Sequence, residues 1–346
     1  MNDRPRSVED GESMAGCQAA PPAAQAGLSG TAARILVIRL SALGDFIMAL
    51  PAMAAIRRAH PAAAITLLTT APLAAIGERS GWFDHVEIDP RPSWREPGKW
   101  LRFRRWLRRS RFDRVYDLQA QDRTALYFRL FWPGPFPQWS GIARGASHRH
   151  SDPARRRMHA YDIHAAQLSL AGIPAIGAPD LGWLDDPGVA GWGLPPRIAM
   201  LVPGSAPHRP AKRWPTGRFG ELAALLVEAA IIPVVIGAAS ERPLADAIRA
   251  ACPQAVDLTG KTSLFAIAAI ARRAVVAIGN DTGPMHLAAL IGCRCVSLFS
   301  AESDPARSAP RGRDVAVLRR PDLADLPTAA VAAAALGPAE PIPASP

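Results

Sequence analysis

The sequence predicts an α/β protein of two doubly wound domains facing a cleft. Three observations carry that prediction. From Arg34 onward, short apolar runs alternate with segments of helical period, the pattern of βαβ units on parallel sheets. The alternation lapses once, in Asp185–Pro196 (DDPGVAGWGLPP), and then restarts. The chain has 346 residues, 49% of them hydrophobic, enough for two cores at about 100–200 residues each. The expected organisation is an N-terminal domain over 34–185, a linker over 186–196 and a C-terminal domain over 197–320. Residues 1–33 and 321–346 are rich in Ala, Gly, Ser and Pro without periodicity and read as disordered tails.

Arg34–Leu40 (RILVIRL) is the first strand; its aliphatic run suits a strand covered on both faces. It runs into Ser41-Ala42-Leu43-Gly44-Asp45, and a helix follows from about Asp45 to Ala59. Ile65–Thr69, Val86–Ile88 and Arg114–Leu118 are further strands, and a helix starts near Asp122. Pro97–Ser110 has helical spacing, with Trp100, Phe103, Trp106 and Leu107 near one face and arginines over the rest. Beyond the linker come strand Arg197–Val202, helix Gly217–Ala230, strand Ile232–Ile236 and helix Glu241–Ala251. A helix over Leu264–Arg272, strand Ala274–Ile278, helix Gly283–Ile291 and strand Arg294–Phe299 complete the second domain. Ligands of such sheets bind at the carboxyl ends of the strands.

Composition narrows the function classes. No run approaches the ~18 apolar residues of a membrane-spanning helix. The opening MNDRPRSVEDGESMAG has no apolar core, so no secretory signal is expected. Cys17, Cys252, Cys293 and Cys295 fit neither a disulfide framework nor a zinc spacing, which points to a reducing cytoplasm. Net charge is +10, and lysine stands only at positions 99, 212 and 261. Residues 91–111 hold nine basic side chains against the single acid Glu96. Partners of negative charge follow: a phosphorylated glycolipid, an anionic membrane surface or nucleic acid. No nucleic acid is expected among them, because the chain has no recognisable binding motif and its charge sits in one segment. No GxGxxG or GxxxxGK[ST] follows a strand, and HExxH, CxxC and GxSxG are missing. That argues against a nicotinamide dehydrogenase, a P-loop NTPase and a serine hydrolase. No Asp-x-Asp pair offers carboxylates to a metal, so neither metal nor cofactor is expected.

Four segments carry candidate chemistry. At the first strand-to-helix turn, Gly44 lets backbone approach a ligand, and Asp45 stands at the helix start. Asp45 is either an N-cap or a general base that takes a proton from an acceptor hydroxyl. Helix N-termini favour the ionised carboxylate, so such a base acts late, once the hydroxyl has become acidic. Ile278–His286 (IGNDTGPMH) is a strand end, a polar turn and a helix start with Pro284 in its first turn. Asp281, Thr282, Gly283 and His286 there read as an anion site suited to a diphosphate, or as a capped helix with a core histidine. Pro203-Gly204-Ser205 followed by Lys212-Arg213-Trp214-Pro215 offers Ser205 and a compact ammonium to phosphate, although chance could also have put lysine there. Glu241 follows a strand where an acid binds a ribose hydroxyl, or simply favours a first helical turn.

These pieces, in this order, resemble the bacterial lipopolysaccharide heptosyltransferases, a family of inverting glycosyltransferases with two Rossmann-like domains in the GT-B arrangement. The resemblance runs from Arg34 to Arg320 and rests on RILVIRLSALGDFIMALPAMAAIRRAHP and GNDTGPMHLAALIG. PGSAPHRPAKRWP, DLTGKTSLFAIAAIARRA and YDLQAQDRTAL support it; in the last, Ala120 replaces a family glycine. The resemblance implies transfer of heptose from ADP-heptose to a lipid-linked inner-core sugar acceptor. It implies Asp45 as base, Lys212, Asp281, Thr282, Gly283 and His286 at the donor diphosphate and sugar, Glu241 near the ribose and Thr262 near adenine. Gly44 and Arg123 fall on the acceptor side. Phe299–Pro305 (FSAESDP) departs from the family's Gly-Pro-Thr-Asp-Pro, with one extra residue and no following aromatic. The same mechanism with another nucleotide sugar, and a surface polysaccharide or protein acceptor, is the alternative within the class. A non-catalytic sugar-binding module is a further alternative, opposed by the presence of both Gly44-Asp45 and Asp281–His286. The basic 97–110 helix is compatible with packing on the first domain and with attraction to an anionic inner membrane face.

Overall fold

The computed structural model describes residues 33–337. The first half runs β1 (Arg34–Ile38), α1 (Leu43–Ala59), β2 (Ala64–Thr69), α2 (Ala71–Arg79), β3 (His85–Ile88) and α3 (Pro97–Arg109). β4 (Arg114–Asp117), α4 (Asp122–Arg129), β5 (Gln138–Gly141), β6 (His148–Arg149) and α5 (Ala160–Leu170) complete it. The second half runs β7 (Ile198–Val202), α6 (Thr216–Glu228), β8 (Ile232–Val235), α7 (Arg242–Ala251), β9 (Val256–Asp257) and α8 (Leu264–Arg273). It ends with β10 (Ala274–Asn280), α9 (Gly283–Leu290), β11 (Cys295–Phe299), α10 (Pro305–Ser308), β12 (Val315–Arg319) and α11 (Thr328–Leu336).

Each half holds one six-stranded parallel sheet, in the orders β3-β2-β1-β4-β5-β6 and β12-β11-β10-β7-β8-β9. Counted from its own first strand, each sheet has the same order, 3-2-1-4-5-6. The strand order reverses beside β1 and β4 in one sheet and beside β7 and β10 in the other, and such switch points are where open α/β sheets bind ligands. The four segments singled out above are the turns after β1, β7, β8 and β10.

β1 is buried along Ile35–Ile38, as a central parallel strand must be. α1 is buried from Phe46 to Ile56, which explains why it is apolar all round. Pro51 lies inside α1 and removes one backbone donor. One apolar cluster runs from Val37, Leu50 and Met53 through to Ile267, Met285 and Leu287, so both halves share it.

The tail expected over 321–346 is ordered through Gly337. Asp322 caps a short turn over Leu323–Asp325, and α11 packs Val331, Ala332 and Ala335 into the second core. The alanine content that reads as low complexity is also the composition of a strong helix former. Arg294 donates to the Ala334 and Gly337 carbonyls at 2.9 and 2.8 Å, satisfying the open end of α11. Residues 338–346 and 1–32 lie outside the described residues. The segment expected as a linker contains a turn of tight helix, Pro187–Trp192, with Val189 buried. Strands β5, β6, β9 and β12 and helices α2, α5 and α10 are additional to the elements read from the sequence.

Candidate functional site

The turn after β1 is held from β4. Gln119 Oε1 accepts from the Leu40 amide at 2.9 Å, and its Nε2 donates to Ser41 Oγ at 3.1 Å. This is what the Asp-Leu-Gln segment does locally. Asp45 is not an N-cap: α1 begins at Leu43, its cap is Ala42, and no side chain caps it. Asp45 stands one turn in, with its carboxylate half exposed and 3.6 Å from the Arg39 guanidinium. Arg39 is buried and donates to the Leu118 carbonyl at 2.6 Å. Burial lowers its affinity for a proton, and the charges of Asp45 and Asp117 oppose that. Asp117 is fully buried; desolvation pushes its carboxyl up to about 6, against the Ala120 amide that bonds it and the nearby Arg39.

In the second half, Asp281 accepts from Lys212 Nζ at 2.6 Å, and its other oxygen stands 3.7 Å from His286 Nε2. Burial would raise the Asp281 carboxyl, but His286 and Lys212 outweigh it and hold it below the ordinary range. Thr282 precedes α9 in extended conformation without a side-chain cap bond, leaving the first-turn amides uncapped by it. Asn280 joins three segments: Oδ1 accepts from the Trp214 amide at 2.9 Å, and Nδ2 donates to the Pro203 and Gly204 carbonyls. Ser205 Oγ accepts from Arg213 Nε at 3.1 Å and donates to the Arg209 carbonyl.

The two helix starts meet. A Cβ at Gly44 would stand 3.0 Å from His286 Cδ2, and one at Gly283 would strike Leu43 at 2.8 Å. Beside this junction lies a cavity of about 320 Å³. Its walls include Leu43 from the first half and Ser205, Glu241, Thr262 and Thr282 from the second. Glu241 is fixed by the Ala238 amide at 2.8 Å, and a side chain at Gly204 would overlap its carboxylate. Glu241 ends a one-turn helix before α7 rather than opening α7 itself.

Lys212, Asp281 and His286 do not border the cavity; they form their own cluster at the start of α9. Arg123 borders neither. It reaches the Pro92 carbonyl at 3.3 Å and stands 6.0 Å from the Trp100 ring. Sequence reasoning assigned no role to Arg39, Asp117, Gln119 or Asn280. The last two were visible as amides inside the motifs, and the mutual charge influence of the buried Arg39 and Asp117 becomes legible only with the fold. A second contact between the halves was also missed: Arg311 grips Asp162 through two bonds of 2.6 and 2.7 Å, and His159 Nε2 donates to the Ala309 carbonyl. Its partners are about 150 residues apart in sequence.

Two Rossmann-like sheets with matching switch points, joined over one cavity, define a protein of GT-B-like fold. Residues 188–331 match the family model of glycosyltransferase family 9 (heptosyltransferase). It is 30% identical over 127 residues to lipooligosaccharide heptosyltransferase 2 of Haemophilus influenzae, an alignment covering 35% of this chain and 36% of that protein. It is 27% identical over 300 residues to lipopolysaccharide heptosyltransferase 1 of Pseudomonas aeruginosa, covering 81% and 82%. The solved structure of E. coli ADP-heptose LPS heptosyltransferase II superposes with a TM-score of 0.70 at 23% identity, covering 88% of this chain and 98% of that one; at that identity the likeness speaks for the fold.

Proposed function

We propose that this chain is an inverting, metal-independent glycosyltransferase that moves a heptose from ADP-heptose to an inner-core lipopolysaccharide acceptor. The observation that carries the reading is the junction of the two helix starts: the first turn of α1, which carries the half-exposed Asp45 carboxylate, abuts the N-terminus of α9 through Leu43 and Gly44, beside a cavity lined by Glu241 and Thr262. The names of the relatives supply the donor and the acceptor class.

In this reading Asp45 takes the proton of the acceptor hydroxyl as its oxygen attacks the anomeric carbon from the face opposite the diphosphate. The first amides of α9 and the Lys212 ammonium receive the charge that develops on the leaving group. Lys212 keeps donors to spare, because Asp281 occupies only one face of a three-donor ammonium. Asp281 thereby fixes where that ammonium sits. His286, packed against Gly44, stands at the junction of the two helix starts. Arg39 holds the Asp45 carboxylate from the protein side and leaves its other side to solvent.

The test is mass-spectrometric detection of nucleoside diphosphate released from a panel of ADP-, GDP- and UDP-sugars in the presence of acceptor. Release of ADP from ADP-heptose alone supports the reading, and release of UDP or GDP alone overturns it. One observation favours a second donor sugar on the same mechanism: the Phe299–Pro305 turn departs from the family pattern. Release of ADP from a different ADP-sugar would select that reading.

A further inference from the structure

We propose that the outer face of α3, together with Trp94 and Trp132, docks on an anionic lipid bilayer. α3 buries Phe103 and Leu107, half-buries Trp100 and Trp106, and turns its other side out. The arginines of that helix divide into two sets. Arg104 donates to the Trp132 carbonyl at 2.7 Å, and Arg108 donates to those of Phe131 and Gly134 at 2.6 and 2.9 Å. These two fasten the Phe131–Gly134 turn beside the helix and are not free to meet a partner. Lys99, Arg102, Arg105 and Arg109 are exposed, as are Arg91, Arg95 and Arg111 at either end.

What decides the partner is the apolar surface among those charges. Trp94 is 81% exposed, Trp132 70% and Leu101 59%. Trp132 is brought next to α3 by Arg104 and Arg108, and Trp94 follows Ser93, whose carbonyl accepts from Trp100 Nε1 at 3.0 Å. Indoles favour the headgroup level of a bilayer, where one end is apolar and the other wet. Leucine gains by entering the acyl boundary, and arginine stems lie along apolar surface while their heads reach lipid phosphates. A nucleic acid would use the charges and the rings but has no use for an exposed leucine at their centre.

The face also points to the right place. Trp100, in the first turn of α3, stands 6.0 Å from Arg123 at the start of α4. Arg123 follows β4, at the same sheet edge as the Asp45 turn. A lipid-linked molecule held at this face therefore has a short path to that edge. The inference does not rest on the proposed transfer reaction, because membrane docking and donor release are read separately.

Sedimentation with vesicles tests it. Three parts phosphatidylcholine to one part phosphatidylglycerol should carry the protein down at low salt, and phosphatidylcholine alone should not. Binding should fall as the Debye length shrinks from ~10 Å at 0.1 M to ~3 Å at 1 M salt. Each basic residue near such a surface is worth about a fivefold change in partition. Arg102→Gln/Arg105→Gln/Arg109→Gln should therefore lower the partition about 100-fold with an unchanged melting temperature. Trp94→Ser/Leu101→Ser/Trp132→Ser should also lower it, and should abolish the blue shift of tryptophan emission on vesicle addition. Nucleotide-sugar binding by both variants should match the parent. Failure of the parent to bind anionic vesicles, or unaltered partition in either triple variant, overturns the proposal. So does binding of single-stranded RNA that exceeds binding to vesicles and ignores the apolar substitutions.

Discussion

The two halves repeat one strand order but treat their buried polar groups differently. In the second half the site is knotted together: Asp281 holds Lys212, and Asn280 satisfies two carbonyls and one amide. Among the described residues, only three buried side-chain atoms there lack a hydrogen-bond partner, against nine in the first half. Five of the nine belong to Arg39, Asp117, His150, Arg155 and His164, whose charges feel one another at the carboxyl edge of the first sheet. Unmade hydrogen bonds of this kind cost about 1–3 kcal/mol each.

The largest effect expected is on Asp45, the half-exposed carboxylate at the start of α1. Asp45→Asn should lower the transfer rate ~10²–10⁴-fold and leave affinity for the donor nucleotide near that of the parent. A folded Asn variant with most of the parent rate would make Asp45 a structural residue. In the second half the effect should fall on binding. Lys212→Ala and His286→Ala should weaken ADP in calorimetry, the lysine by about 1.5–3 kcal/mol for a charged hydrogen bond. Unchanged affinity in both would remove the diphosphate assignment.

A third test separates the halves by pH. Asp117 holds its proton more tightly folded than unfolded, being pushed up to about 6 by burial. Its stabilising contribution is thus fully present below the ordinary aspartate range near 4 and is lost as pH rises through about 6. On the order of 2–3 kcal/mol should leave the parent across that window and not leave Asp117→Asn, read as the difference between two urea-unfolding series. Parallel pH profiles would show that the group is not the buried acid described. The smallest effect concerns Ala120, at φ 47°, where an L side chain is strained. Ala120→Gly should raise stability by about 0.5–1 kcal/mol with an unchanged urea slope, the strain relieved exceeding the added freedom of glycine in the unfolded chain.

The turns after the apolar strands β7, β8 and β10 were legible in the sequence, so Ser205, Glu241 and Thr282 could be named before any fold was known. The elements that went unread have physical reasons. β6 and β9 are two residues long, and α5 has almost no apolar face to give a period. α11 hid in an alanine-rich stretch whose stability comes from burial against α6 and from Arg294. Asp45 was placed correctly at a helix start, but its separation from the cap position depends on where α1 begins, and a helix boundary is the least determined part of a periodic pattern. Arg39 lies inside an aliphatic strand motif, and nothing local distinguishes it from the surrounding arginines until Asp117 and Leu118 are brought beside it.

The glycine contact between the helix starts has a mechanical consequence. At Gly44 the first half presents bare backbone to the His286 ring of the second, and the first added atom would already press on that ring. The approach of one half to the other is therefore gauged by bare backbone on one side and the imidazole on the other, and a methyl group at this point acts as a doorstop. Gly44→Ala would not alter the chemistry of any functional group. It would set the jaws a few tenths of an ångström wider, and so convert a question about catalysis into one about how closely the two halves can approach.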